Sequence, residues 1–200
     1  MKTNFNLCIA SALIAFFAIA VQSCCTPSTT IGSVNNTLRP QETANWCWAA
    51  VTQMIAQNEG QIVTQCDLAN HRFGKTNCCD FQNDGASCPK TNDCNNPGWL
   101  ELDYAGVNFS TSDAGLSLNQ LRKSIYCSKN VLGYAYGTTG VVGHVVAVKG
   151  YVNVAGTDYV VLNDPWSPCN GSERLITYQE YLDPAGSRTH WKTWYKTSKK

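Results

Sequence analysis

The sequence predicts an α+β fold in which helices come first along the chain and β-strands follow. Between residues 45 and 60 the apolar residues recur at helical spacing, whereas after Cys127 valine-rich segments alternate with a period of two. No segment is repeated along the 200 residues, a length sufficient for one domain with a substantial core. Helices followed by strands indicate an α+β domain whose two lobes meet at a cleft.

Residues 1–23 are interpreted as a signal peptide that directs export. Lys2 supplies a positive charge, and the run Leu7–Val21 is almost wholly apolar but shorter than the roughly 20 residues of a membrane-spanning helix. The residues that lead up to Cys24 resemble a bacterial lipobox, which predicts lipidation of Cys24 and a place in the bacterial cell envelope. The alternative is ordinary cleavage near Ser23 and a secreted protein.

Residues 24–38 are rich in serine, threonine and asparagine and are predicted to form a polar tether. This segment is too short for a folded inhibitory prosegment. The folded domain is therefore expected to occupy residues 39–200. The lysines near its end (Lys196, Lys199 and Lys200) are interpreted as a solvated tail.

The first part of this domain is predicted to be helical. One helix runs from Asn45 to about Gly60, where apolar residues fall at i, i+3, i+4, i+7 and i+8. A second spans about 64–73, with Thr64 as its candidate cap, and a third spans about 97–105 with a proline in its first turn. A fourth begins at Ser117, a residue type that is favoured at the N-cap.

The second part is predicted to consist of strands. Residues 131–136, 144–152 and 159–162 are rich in β-branched and aromatic side chains, and valines alternate with other residues in the middle segment. Gly156 offers a turn between the last two strands.

The cysteines predict a disulfide framework. Of the 11 in the sequence, Cys8 falls in the signal peptide, Cys24 is the predicted lipid site, and Cys47 is considered separately below. An even remainder in an exported chain is typical of disulfides, whose pairing the sequence leaves open. These eight are Cys25, Cys66, Cys78, Cys79, Cys88, Cys94, Cys127 and Cys169. A zinc site around residues 78–94 with His71 is the alternative, although the spacing fits no ordinary ligand pair.

The near-zero net charge gives no electrostatic reason to expect a strongly charged partner. Fifteen basic and 14 acidic residues give a net charge of +1, which offers no reason to expect nucleic acid or an anionic membrane as a partner. We expect a monomer that acts on a protein or peptide substrate without a cofactor, and that meets a membrane only through a lipid on Cys24.

Cys47, in the segment Asn45-Trp46-Cys47-Trp48, is the candidate nucleophile. A free cysteine thiol has a pKa of about 8.5, and both a helix N-terminus and a neighbouring histidine favour its thiolate form. Cys47 lies near the predicted start of its helix, which meets the first condition. Composition alone favours the other interpretation, in which Cys47 is one more half-cystine.

Three motifs, in order along the chain, resemble those of papain-like cysteine peptidases. Gln41 followed after five residues by Cys47-Trp48 resembles the family's oxyanion glutamine and nucleophile. Residues 143–151, Gly-His-Val-Val-Ala-Val-Lys-Gly-Tyr, resemble its histidine strand. Residues 163–166, Asn-Asp-Pro-Trp, resemble its Asn-Ser-Trp motif in the Asp-Pro-Trp form of small bacterial relatives such as the double-glycine leader peptidases.

This resemblance covers about residues 41–166 and implies a two-lobe fold, with a helical N-terminal lobe and an antiparallel β C-terminal lobe. It implies that Cys47 is the nucleophile, that His144 transfers the proton, and that Asp164 orients the imidazole beneath a shielding Trp166. Gln41 and the backbone N–H of Cys47 would hold the oxyanion.

Asn163 is the rival of Asp164 for the orienting role, because papain itself uses asparagine and strand alternation does not point both side chains inward. His71 and His190 are expected to be ordinary polar residues. Residues 45–46 are Asn-Trp where papain has Gly-Ser, so the resemblance does not extend to subsite preferences.

Hydrolysis of peptide bonds in exported or extracellular substrates is the expected activity. Leader-peptide cleavage, cell-wall amide cleavage and acyl transfer use the same thiol chemistry and are alternatives. A catalytically silent, disulfide-stapled binding module is the alternative from another functional class.

Overall fold

The computed structural model describes residues 25–80 and 93–200. The predicted signal peptide, Cys24 and Cys88 lie outside the described residues. The fold is α+β, as predicted, and its sheet is antiparallel throughout the described pairs. The helices are α1 (Cys47–Asn58), α2 (Gln65–Phe73), α3 (Leu118–Arg122), which continues into a π-helical turn (Lys123–Cys127), and α4 (Tyr178–Leu182). The strands are β1 (Ile31–Ser33), β2 (Val107–Ser112), β3 (Leu132–Gly137), β4 (His144–Val154), β5 (Thr157–Asp164), β6 (Ser172–Thr177) and β7 (Thr189–Lys199).

Within these residues the seven strands form one sheet in the order β2-β7-β3-β4-β5-β6, and β1 pairs with β4 as a side branch. Strand β4 lies near the middle and is buried over most of its length. Strands β4 and β5 form a hairpin whose two-residue turn, Ala155-Gly156, has positive φ at both positions (49° and 86°). Such a turn matches the natural twist of paired strands, which explains why glycine is required there.

Helix α1 packs against β3 and β4 and forms the centre of the core. The predicted helix is confirmed, but it is buried on nearly all sides rather than along one stripe. Trp46 and Trp48, on either side of Cys47, are fully buried. Full burial of an aromatic side chain contributes about 1.5–3 kcal/mol to stability, so these two residues anchor the start of α1 strongly.

The predicted caps of α2 and α3 are confirmed. The hydroxyl of Thr64 accepts a hydrogen bond from the backbone N–H of Asp67, and the carboxylate of Asp67 accepts one from the backbone N–H of Thr64. Ser117 and Gln120 form the same reciprocal box at α3. Each box satisfies two backbone donors that a helix start would otherwise leave without partners.

The helix predicted at residues 97–105 is wrong. This segment runs without regular structure and then through a series of turns that ends at Gly106, where φ is +73°. Tertiary hydrogen bonds replace the helical ones: the backbone N–H of Glu101 donates to Thr52, and the indole of Trp48 donates to the carbonyl of Asn96. Contacts to the buried helix α1 therefore outweigh the local helical preference.

Two segments that were predicted to lie outside the regular structure, the polar tether and the basic tail, are part of the fold. From the predicted tether, residues 31–33 form β1, Val34 is buried, and Cys25 is bonded to Cys127. The predicted basic tail belongs to β7, which pairs with both β2 and β3. Polar composition misled both predictions, because one face of a strand can be buried while its polar side chains on the other face contact water.

Three disulfides confirm the predicted framework in its described part. Cys25 pairs with Cys127, Cys66 with Cys79, and Cys78 with Cys94, and Cys169 is disulfide-bonded as well. The zinc alternative is excluded for these cysteines, because a sulfur in a disulfide is not a thiolate ligand. The disulfides indicate an extracellular or exported protein. Among the described residues, no helix is both long and apolar enough to cross a membrane.

Candidate active site

Cys47 is the first residue of α1 and the one free cysteine among the described residues. The side chain lies at the floor of an open cavity, and the residue is 8 % exposed. As the first helical residue, it has a backbone N–H without a partner in the helix, at the end where the helix dipole is positive.

The turn that leads into Cys47 is held by residues 94–95. The indole of Trp46 donates to the carbonyl of Cys94 (2.8 Å). The side chain of Asn95 accepts from the backbone of Asn45 (2.8 Å) and from the hydroxyl of Thr43 (3.0 Å). Because Cys94 is bonded to Cys78, the disulfide holds the segment that positions Cys47. The dense cysteines of the sequence thus support the site.

The β4–β5 hairpin brings His144 to Asp164. His144 begins β4 and Asp164 ends β5, and these two ends are adjacent because the strands are antiparallel. Ala147 pairs with Asn163, so Asp164 lies opposite Val146, on the same face as His144 two residues earlier. Asn163 points to the other face and donates to the carbonyl of Asn36 (3.0 Å). The register therefore places Asp164, and not Asn163, beside the histidine.

The imidazole of His144 joins the acid and the thiol. Its Nε2 donates to Oδ1 of Asp164 over 2.6 Å. Since Nε2 faces Asp164, the other ring nitrogen, Nδ1, is the one left for the thiol of Cys47, which lines the same cavity and raises the pKa of the imidazole. Side chains from α1, β4 and β5 thus meet at one imidazole.

The electrostatics of this chain favour an imidazolium. Burial works against the cation, but the hydrogen bonds to Asp164 and Cys47 and the negative charges of those groups outweigh it and raise the pKa of His144 from 6.5 to about 9. Burial also disfavours the ionised carboxyl of Asp164, yet hydrogen bonds and the histidine's charge hold the pKa of Asp164 below its usual 3.8. At neutral pH the pair is therefore His⁺ and Asp⁻.

Arg174 of β6 completes the surroundings of Asp164, and the sequence did not reveal it. Its Nη1 donates to Oδ2 of Asp164 over 2.6 Å, while the backbone N–H of Trp166 donates to Oδ1 over 3.0 Å. The carboxylate side chain is only 4 % exposed, so each of its oxygens needs such partners. Arg174 reaches Asp164 because it pairs with Leu162 of β5, and Leu162 lies two residues before Asp164 on the same face of the sheet.

Gln41 lies beside Cys47 in the same cavity, but its amide is turned inward. Nε2 donates to the carbonyls of Thr43 (2.8 Å) and Ala44 (2.7 Å), which uses both of its N–H groups. In this arrangement the side chain braces the turn before Cys47. The expected role as an oxyanion donor requires one of these two bonds to be exchanged for the substrate.

Two cavities flank the Cys47–His144 pair. The larger, of about 660 Å³, also reaches Asp164 and Trp166, and the smaller, of about 280 Å³, extends towards Trp99. Both are bordered by residues 141–143, so together they form a groove that passes the thiol on two sides. Trp166 is half exposed and forms a wall of the larger cavity rather than a buried cover.

Gly143 is required next to His144 for a packing reason. A Cβ at this position would lie 2.0 Å from the indole of Trp191, which covers the start of β4. The glycine thus lets Trp191 fix the strand end that carries the histidine.

The other two histidines lie outside the groove. His71 stacks on Tyr104 with ring centroids 3.9 Å apart, and His190 bonds to the carbonyl of Tyr181 and the hydroxyl of Thr193. Neither lines a cavity that Cys47 lines. In the described part of the chain, no group of three or more histidine, cysteine, aspartate or glutamate side chains could hold a metal ion.

Comparison with known proteins agrees with this geometry. The family model described as the Peptidase_C39 like family matches residues 34–199, which is most of the chain and includes all the site residues named above. No curated protein matches the sequence. This family consists of cysteine peptidase-like proteins, and the match supports hydrolase activity of that kind. On the strength of that match over most of its length, the chain belongs to the Peptidase_C39-like family, a papain-like cysteine peptidase family.

Proposed function

We propose that this protein hydrolyses peptide bonds in exported or extracellular substrates through a Cys47-His144-Asp164 triad. One observation carries the proposal: an imidazole that bonds to a buried carboxylate lies beside a thiol at the start of a helix, in an open groove. A cysteine that only forms a disulfide does not require this arrangement, whereas a thiolate nucleophile does.

The reaction follows from the positions of these groups. The Cys47 thiolate attacks the scissile carbonyl carbon, so that an S–C bond forms and the carbonyl π electrons move to oxygen. As the C–N bond breaks, His144 gives its proton to the leaving amine. Water then attacks the thioester, His144 takes the water's proton, and the S–C bond breaks to release the acid and the thiolate.

The oxyanion would be stabilised at the helix start. The N–H of Cys47 points out of α1 without an intrahelical partner, and one N–H of Gln41 would turn from a main-chain carbonyl to the substrate. Such a donor typically contributes about 10²–10³ in rate. Asp164, held by Arg174, would keep the imidazole in position and stabilise its cationic form.

The groove supports a two-lobe interpretation. Its residues come partly from the N-terminal half of the chain, such as Cys47 of α1 and Trp99 of the irregular segment, and partly from the sheet, such as His144 and Trp191. A chain of peptide length could lie between these two walls. The disulfides favour substrates outside the cytoplasm, and a lipid on Cys24 would hold the enzyme at a membrane surface.

Labelling of Cys47 tests the proposal. We expect a peptidyl epoxide to modify Cys47 selectively in the native protein, as measured by mass spectrometry of the digested adduct. A digest of a peptide library with the same preparation should then yield cleavage products. If native Cys47 stays unlabelled and no peptide is cut, a silent binding module is the better interpretation. Labelling with transfer of the acyl group to added amines, in place of hydrolysis, would indicate the transferase alternative.

The alkaline limb of the pH profile of kcat/KM should be set by the deprotonation of His144. We expect kcat/KM to hold at neutral pH and to fall as the pH rises through about 9, because His144 then loses the proton that the leaving amine needs. Asp164→Asn should move this limb to lower pH by about one unit, since a hydrogen bond and a charge that raise the pKa of His144 are weakened or lost.

Asn163→Ala is the matched control for the pH experiment. Asn163 is the neighbouring buried residue and bonds to Asn36 rather than to His144. Its loss should cost about 1–3 kcal/mol of stability and leave the alkaline limb in place. An unmoved limb in Asp164→Asn, or a shifted limb in Asn163→Ala, would show that the orienting residue is wrongly assigned.

A further inference from the structure

The larger cavity beside Cys47 carries two arginines that the proposed reaction does not fully use. Arg174 and Arg188 both line it, together with the thiol and His144. We propose that this cavity is a carboxylate-binding subsite, in which Arg188 is the principal contact and Arg174 a second one. The proposal rests on the proposed peptidase function and adds a preference for substrates that carry a carboxylate on this side of the scissile bond.

The charges that face the cavity leave it positive. Among the described residues, Asp164 is its one acidic lining residue, and its two oxygens are engaged by His144 and Arg174. Glu180 lies near the two arginines from the far side, but its carboxylate is held by the cap of α4, where it accepts from the N–H and hydroxyl of Thr177 (2.8 and 2.9 Å). The arginines therefore outnumber the acid, and the acid is already neutralised.

Arg188 is placed to meet a ligand. It is exposed at the turn before β7, and its guanidinium lies over the ring of Tyr136 at 5.7 Å from the centroid. Tyr136 in turn packs edge-on against His144, with centroids 5.8 Å apart. This stacking limits the positions of the guanidinium while leaving its N–H groups for another partner.

A carboxylate fits these groups better than a neutral side chain does. Arginine presents parallel donors that match the two oxygens of a carboxylate, and such paired bonds are about twice as strong as neutral ones. A peptide substrate offers this group from two sources: an aspartate or glutamate side chain, or the free end of the chain. The cavity volume of about 660 Å³ is within the range of about 300–1,000 Å³ that is usual for ligand sites.

Alkylation of Cys47 tests the charge of the cavity without any substrate. Iodoacetate and iodoacetamide react with the same thiolate and differ in one negative charge. We expect Arg188→Glu to lower the ratio of the iodoacetate rate to the iodoacetamide rate about threefold to tenfold, because it replaces attraction by repulsion. Lys123→Glu changes the net charge equally at an exposed residue that lines neither cavity, and should leave the ratio unchanged.

Peptides then identify the source of the carboxylate. The best-cleaved library peptide is compared with versions that carry glutamate or glutamine near the scissile bond, and with a free or an amidated C-terminus. If the side chain is recognised, Arg188→Glu lowers kcat/KM for the glutamate peptide about tenfold more than for the glutamine peptide. If the chain end is recognised, the free and amidated peptides separate instead.

These experiments distinguish failure of the carboxylate subsite from failure of the peptidase function. An unchanged alkylation ratio in Arg188→Glu, or equal effects on every peptide pair, overturns the subsite while the peptidase remains. Failure of native Cys47 to react even with neutral iodoacetamide overturns the peptidase and the subsite together.

Discussion

Replacing Cys47 by alanine is expected to abolish peptide hydrolysis and leave the protein folded. The thioester cannot form without Sγ, and Cys47 is the one free thiol among the described residues. The change removes a single atom from a residue at the floor of an open cavity, so the cost in stability should stay below about 1 kcal/mol. Activity on the best-cleaved peptide and the midpoint of thermal unfolding measure the two effects.

Replacement of both Cys25 and Cys127 by alanine is the matched control. Their disulfide joins residues 102 apart in sequence, and neither cysteine lines the groove. Loss of such a bond typically costs about 2–5 kcal/mol, so the control should unfold at lower temperature while its folded fraction remains active. Turnover by Cys47→Ala well above background would contradict the assignment of the nucleophile.

His144→Ala should lower kcat/KM by about 10²–10⁴-fold, because the proton for the leaving amine and the cation beside the thiolate are lost together. The rate of Cys47 alkylation at neutral pH should fall as well, which a purely structural role of the histidine does not explain. The ring bonds to Asp164, and Cys47 raises its pKa, so both effects arise from one side chain.

His71→Ala provides the matched histidine control. His71 has a side chain that is 46 % exposed and stacks on Tyr104 away from the groove. Activity and alkylation rate should remain near the original values. If both histidine variants lose activity equally, a general effect on folding is the cause and the triad is not supported.

Much of the site follows from local sequence patterns. The apolar spacing after residue 45 predicted α1, and the resemblance of the Gln41, Cys47 and His144 motifs to those of papain-like peptidases indicated which side chains would meet. Helix starts and strand ends are local features, so the chain near each motif carries the information needed to predict them. The caps at Thr64 and Ser117 were predictable for the same reason.

Segments whose structure depends on distant partners were not predictable in this way. Residues 97–105 have helical composition but bond to α1 instead, and the polar ends of the chain become β1 and β7 only because β4, β2 and β3 offer edges to pair with. Burial against a partner changes the preference of a segment by more than its own composition does.

The sequence by itself predicted Cys47, His144 and the order of the motifs, since the resemblance to papain-like peptidases depends on residue types at fixed positions along the chain. Only the tertiary structure decided between Asp164 and Asn163, because strand register selects which side chain faces His144. Only it revealed Arg174, whose strand is paired beside β5, and Arg188, which reaches the same cavity from the turn before β7. Sheet pairing joins residues that are far apart in sequence, and no local pattern records that pairing.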